Sequence, residues 1–195
     1  MKVGLFFGSF NPVHVGHMVL ANYMLAYTEL DQVWFVISPH NPLKKKASLL
    51  HERHRLRLVE LAIGDNPKLK TSDIEFALSQ PSYTVNTLVH LREKHPSINF
   101  ALIMGEDNLQ NFHKWKNYEE ILKQHELYVY PRYDMAATTG DPSVMKHTSV
   151  KRIAAPLVEI SSTAIRQAIL EKKDMRYFVP LAAWEYIKEM HFYEK

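Results

Sequence analysis

Short apolar runs suited to strands alternate with helical patterns along almost the whole chain, and this alternation narrows the fold more than any other feature. Residues 3–7, 33–37, 68–76, 99–104, 127–130 and 154–160 read as strands. Residues 14–27, 49–63, 83–94, 118–124 and 162–171 read as helices. A last helix starts around Pro180, which suits a first helical turn, and carries Leu181, Trp184, Ile187 and Met190. Repeated β-α-β units predict an α/β fold: a Rossmann-like, doubly wound, mostly parallel sheet with helices on both faces. Helix 14–27 is apolar nearly all round and is expected to be largely buried. Helix 49–63 is amphipathic, with Leu49, Leu56, Val59 and Ile63 on one face. Residues 132–150 are the least patterned and read as a long, mobile connection. With 195 residues and no internal repeat or linker, the chain reads as one domain, 1–195. Its portion from about 160 to 195 is expected to be helical and packed on the rest.

Composition removes several function classes. Cysteine is absent, which excludes disulfides, thiolate zinc sites, iron–sulfur clusters and thiol nucleophiles. A net charge of +3 is far from the footprint of a dedicated nucleic-acid binder. No apolar run approaches a membrane span, and the opening MKVGLFFGSF reads as a first strand rather than a signal peptide. A soluble cytoplasmic protein is the expectation, with homo-oligomer formation left open. There is no GxGxxG, GxxxxGK[ST] or GxSxG, and the histidines of His51-Glu52-Arg53-His54 are three apart, not four as on a zinc-protease helix.

Ligands in doubly wound folds bind outside the carboxyl ends of the strands, so the informative residues follow the strands. The segment GSFNPVHVGH (8–17) runs from a strand through a glycine turn into a helix. Gly8 permits close backbone approach to a ligand, and the helix start offers N–H groups to a phosphate. His14 and His17 share the first helical turn, and the helix dipole disfavours their charged forms unless an anion is present. In ISSTAIR (160–166) the hydroxyls of Ser161, Ser162 and Thr163 suit an N-cap, while Arg166 opposes the dipole in a way that a bound phosphate would repay. SPHNPLKKK (38–46) places His40, Lys44, Lys45 and Lys46 as candidate phosphate contacts. In MGEDN (104–108), Asp107 suits ribose hydroxyls or a hydrated magnesium ion, or simply caps a short helix. Trp115, flanked by lysines, suits stacking on a planar heterocycle, and Tyr83 and Thr84 open a helix at the same edge.

GSFNPVHVGH followed by ISSTAIR resembles the nucleotidyltransferase superfamily with an HxGH signature. YTVNTL, LIMGEDNLQNFHKW, EISSTAIR and the closing YFVPLAAWEYIKE, in that order, are similar to the bacterial nicotinate-nucleotide adenylyltransferase branch. The resemblance implies transfer of the adenylyl group of ATP, with magnesium on its phosphates and no protein-held metal, to nicotinate mononucleotide. It implies that His14, His17 and Arg166 are catalytic, with Ser162, Thr163 and Arg166 on the β- and γ-phosphates. Gly8, Ser9 and Phe10 would line the floor between the nucleotides, Asp107 would meet the adenosine ribose, and Gly105 would allow close approach. Tyr83, Thr84 and Trp115 would hold the mononucleotide. Phe7 and Asn11 stand where the family often has glycine and aspartate. Nicotinamide mononucleotide or phosphopantetheine as acceptor, or a non-catalytic nucleotide sensor, are the alternative readings; RNA or DNA binding is disfavoured by the charge.

Overall fold

The computed structural model describes residues 1–39, 49–132 and 140–195. Six strands, β1 (Lys2–Gly8), β2 (Gln32–Ile37), β3 (Leu69–Ser72), β4 (Asn99–Gly105), β5 (Leu127–Tyr130) and β6 (Val150–Arg152), form one sheet. Their order is β3-β2-β1-β4-β5-β6, and every neighbouring pair is parallel. The order reverses between β1 and β4, so a crevice opens at the carboxyl ends of these two strands. The helices are α1 (Val15–Tyr27), α2 (Glu52–Ile63), α3 (Thr84–Lys94), α4 (Glu106–Gln110), α5 (Tyr118–Gln124), α6 (Pro142–Met145), α7 (Ser162–Leu170) and α8 (Leu181–Glu189).

The period-two alternation of the strands sends side chains into two separate cores. Phe6, Val33, Phe35, Ile37, Ala101, Ile103, Tyr128 and Tyr130 join residues of α1, α2, α7 and α8 on one face. Leu5, Trp34, Val36, Leu102, Met104, Leu127 and Val129 join residues of α3, α4 and α5 on the other. Both faces are covered, which is why these strands read as continuous apolar runs.

Several sequence expectations need correction. Helix α1 buries only Gly16, Leu20, Ala21 and Met24, and leaves Val19 and Tyr27 exposed. Helix α2 begins at Glu52 and not near residue 49, because the His51 side chain accepts the Arg53 amide as its cap; its buried line is Arg55, Leu58 and Val59. The strand expected over 68–76 is β3 followed by a 3₁₀ turn, Ile74–Ala77. Residues 154–160 form no strand: the ladder ends at Arg152, and Pro156 has no N–H to extend it. Within 132–150, residues 133–139 lie outside the described residues, whereas 142–145 form α6, capped by the Asp141 carboxylate on the Ser143 amide. In α8, Ala183, Trp184 and Ile187 are buried, but Leu181 and Met190 face outward.

A charged cluster ties together the amino-terminal ends of the strands. Lys2 Nζ donates to Glu126 Oε2 at 2.7 Å, Lys151 Nζ pairs with Glu126 Oε1 at 2.6 Å and also with Glu29, and the Tyr128 hydroxyl donates to Glu29 Oε1 at 3.0 Å. Bonds from Lys151, then Tyr128 and Lys2, hold the Glu29 carboxyl down at about 2, from an ordinary 4.5. A carboxyl depressed on folding adds stability above its unfolded value and loses it as pH falls through its folded value. In Glu29→Gln the deficit in melting temperature relative to the parent is therefore expected to be present at pH 6 and to shrink as pH drops from about 4.5 toward 2. A deficit of constant size across that range, measured by thermal denaturation, contradicts this account of the cluster.

Candidate active site

The β1–α1 turn is built around two stacked imidazoles. His14 is the N-cap of α1, in extended conformation, and His17 lies in the first helical turn. Their rings lie 3.7 Å apart at 26°. The His14 amide donates to His17 Nδ1 at 3.2 Å, so His17 in this state carries its proton on Nε2. Phe10 packs edge-on against His17 at 5.0 Å and fixes that ring from the core side. His14 is 6% exposed, and its Nδ1 has no hydrogen-bond partner among the described residues. Burial first, and then the positive charge of Arg132, push its pKa down to about 4, so it is neutral at pH 7. Gly16 between them is required by contact: a Cβ there would lie 2.7 Å from Val158 Cγ1 and 3.0 Å from His14 Nδ1.

Four distant segments are drawn onto this turn. The Arg166 guanidinium donates from Nη1 to the Asn11 carbonyl at 2.8 Å and from Nη2 to Thr163 Oγ1 at 3.3 Å. The Ser162 hydroxyl donates to the Pro12 carbonyl at 2.8 Å. Tyr193 donates to Asn11 Oδ1 at 2.8 Å, and the same oxygen accepts the Leu50 amide at 3.2 Å. Beneath them Arg55, fully buried, donates to the carbonyls of Ser9 at 2.6 Å, Ser38 at 2.8 Å, Pro39 at 2.8 Å and Leu50 at 2.9 Å. The imidazoles and the Arg166 guanidinium thus sit on one edge of the sheet, at the turn where strand order reverses.

A second group forms at the start of α3. Tyr83 caps α3, is exposed, and has Lys116 Nζ 4.6 Å from its ring centre. Trp115, half-buried, leans on Phe112 with ring centres 5.0 Å apart, and precedes Lys116 in the chain. Thr84 opens the helix; the Asn86 amide already donates to the Tyr83 carbonyl at 2.9 Å, and the Thr84 and Val85 amides precede the first helical bond. Behind this loop the buried Glu75 carboxylate accepts from Thr87 Oγ1 at 2.8 Å and Ser82 Oγ at 3.1 Å.

The structure changes what several expected residues can do. The Phe10 side chain is 2% exposed and cannot line a nucleotide floor; only its backbone, at a positive φ of 45°, is at the turn. The space in front of Gly8 is filled by the Phe10 ring, 2.8 Å from where a Cβ would stand, and not kept open for a ligand. The α1 start is not wholly open, because the Val15 amide donates to the Phe178 carbonyl at 2.9 Å. Ser162 has its one hydroxyl proton committed to Pro12, so it acts as a strut here and not as a phosphate donor. Asp107 folds back against Gly105 and lies 3.4 Å from Arg132 Nε. His40, Lys44 and Lys45 lie outside the described residues.

Arg55, Arg132 and Tyr193 were not anticipated. Arg132 follows the end of β5, at the same carboxyl edge as the other loops. Arg55 left a legible mark: a charged residue on the line that also holds Leu58 and Val59. Tyr193 meets Asn11 across 182 residues and left no local signal. Replacing Arg55 by Met strips four carbonyls of their donor, and unfolding in urea is expected to show a loss of about 3 kcal/mol or more. A loss under about 1 kcal/mol contradicts the role assigned to it.

The cytidylyltransferase-like family model matches residues 5–168. A protein of Flavobacterium psychrophilum named probable nicotinate-nucleotide adenylyltransferase is 56% identical over 195 residues, 100% of both chains. A protein of the same name from Flavobacterium johnsoniae is 53% identical, again over 100% of both. Among solved structures, the Plasmodium falciparum nicotinic acid mononucleotide adenylyltransferase complexed with NaAD superposes with a TM-score of 0.80 over 99% of this chain and 97% of that one, at 19% identity, which speaks for the fold. The chain belongs to the cytidylyltransferase-like family and, within it, to the nicotinate-nucleotide adenylyltransferases.

Proposed function

We propose that the protein transfers the adenylyl group of ATP to the phosphate of nicotinate mononucleotide, giving nicotinate adenine dinucleotide and pyrophosphate in the cytoplasm. The observation that carries this reading is the meeting of the HxGH imidazoles with Arg166 at one turn of the crevice. The acceptor phosphate is already an anionic nucleophile at neutral pH, since its second pKa is about 6. It attacks the α-phosphorus, and the bond to the bridging oxygen of pyrophosphate breaks. No strong general base is needed, so catalysis reduces to alignment and to stabilising charge on the oxygens.

In this reading His17, holding its proton on Nε2, donates to the α-phosphoryl oxygens as charge accumulates. His14 lies against it, and Arg166 with Thr163 receives the β- and γ-phosphates. Thr163 Oγ1 accepts from Arg166 and keeps its own proton for an anion. Arg132, beside Asp107 and facing His14, joins them on the ATP side. Asp107 exchanges Arg132 for the ribose hydroxyls, while Gly8, Ser9 and the Phe10 backbone pass between the two nucleotides. Tyr83, Thr84 and Trp115 hold the pyridine nucleotide. In this reading magnesium arrives bound by the triphosphate itself. That ion, when bound, offsets charge on the departing pyrophosphate.

The test is pyrophosphate release with ATP and magnesium, comparing nicotinate mononucleotide, nicotinamide mononucleotide and phosphopantetheine. Release that is fastest with the first supports the reading; a higher kcat/KM with either of the others overturns it. In the same assay His17→Ala is expected to lower turnover at least about 100-fold, as loss of a donor to the transition state does. Near-normal turnover in a folded variant refutes that role. His14 provides a binding readout. Its neutral form is favoured in the free protein, with a value of about 4, and an arriving triphosphate favours the imidazolium. Titration of the ring by NMR is expected to begin near pH 4 and to move upward with a non-hydrolysable ATP analogue. An unmoved titration contradicts contact between His14 and the triphosphate.

A further inference from the structure

We propose that Lys116 is the residue that makes the acceptor site prefer a carboxylate on the pyridine ring over a neutral carboxamide. This deepens, and rests on, the adenylyl-transfer reading above. The two mononucleotides share ring, ribose and phosphate, and differ by one negative charge. A site that separates them needs a positive group or oriented donors at the place where that charge falls.

Lys116 is placed for this. Its Nζ stands 4.6 Å from the centre of the Tyr83 ring, an exposed aromatic at the mouth of the α3 start. Trp115, next to it in the chain, is pinned on Phe112, so the backbone carrying Lys116 is held against the sheet. The neighbouring lysines are spent otherwise: Lys114 donates to Asn111 Oδ1 at 2.8 Å, and Lys123 pairs with Glu120 at 2.7 Å. Lys116 meets no carboxylate among the described residues. An ammonium held by an aromatic face and not by an anion keeps its charge available to a ligand. The Glu75 carboxylate, buried behind Ser82, disfavours an acid at this loop unless a cation offsets it. An ammonium beside the first-turn amides of α3 supplies that offset and a charge-assisted hydrogen bond.

The experiment measures kcat/KM for both mononucleotides with ATP and magnesium in the full chain, Lys116→Gln and Lys116→Glu. A general steering effect would act on the phosphate of both acceptors alike, so the acid-to-amide ratio isolates the ring substituent. The ratio is expected to fall about tenfold in Lys116→Gln, the size of one lost hydrogen bond to a charged group, through a raised KM for the acid. It is expected to fall further in Lys116→Glu. A ratio that stays unchanged in both variants, or two substrates that decline together, overturns the assignment while leaving the adenylyl-transfer reading intact. A parent chain that uses neither mononucleotide overturns that reading, and this inference with it.

Discussion

A guanidinium buried among backbone carbonyls holds the working edge of this protein together. Arg55 reaches Ser9 after β1, Ser38 and Pro39 after β2, and Leu50 before α2, so one side chain spans the two central loops. Burying a cation away from water is costly, and burial lowers the pKa of Arg55 against the opposing charge of Glu52. Carbonyl dipoles solvate it without bringing a carboxylate bond into the edge. Arg166 follows the same rule, bonding a carbonyl and a hydroxyl. Both cations organise the turn while leaving its positive potential uncancelled. At the opposite edge two lysines and two glutamates neutralise one another. The polarity of the molecule, structural at the amino ends of the strands and anion-seeking at the carboxyl ends, is thus written in what each cation is bonded to.

Topology explains why the turn after β1 is the place to gather these groups. With β2 on one side of β1 and β4 on the other, the chain leaves β1 toward one side of the sheet and β4 toward the other. Only there can segments from β1, α7 and the last residues of the chain meet above the strands. Tyr193 shows how far this goes: a residue near the end of the chain orients Asn11, whose carbonyl in turn orients Arg166.

What could be read from the sequence follows the range of the interactions involved. Local periodicity and caps placed α5 and β5 at their observed bounds and put His14 at the start of α1. The HxGH segment was legible because it is a strand end, a turn and a helix start within ten residues, and ISSTAIR because its Ser161 cap and helix start are local. Local apolarity misled where the deciding fact was not local. Residues 154–160 look strand-like, yet Pro156 and the absence of a further ladder partner leave them as an extended connection. Phe10 looks like part of a ligand floor, yet its ring is spent on Phe6, Phe35 and His17. Arg55, Arg132 and Tyr193 act across the fold: Leu50 apart, the bonding partners of Arg55 lie in the loops after β1 and β2, that of Arg132 is Asp107 and that of Tyr193 is Asn11, all beyond any window of ten residues.

The resting state of the two histidines constrains the chemistry more than their identity does. Stacked at 3.7 Å, they could not both be charged without mutual repulsion, and the bond from the His14 amide to His17 Nδ1 requires a bare nitrogen there. The turn is therefore neutral at His14, with the positive charges of Arg132 and Arg166 beside it. In the proposed reading a triphosphate is drawn in by these cations and meets His14, whose charge rises in response to it. Such a group holds the transition state, where negative charge on the phosphoryl oxygens is greatest, more tightly than the substrate.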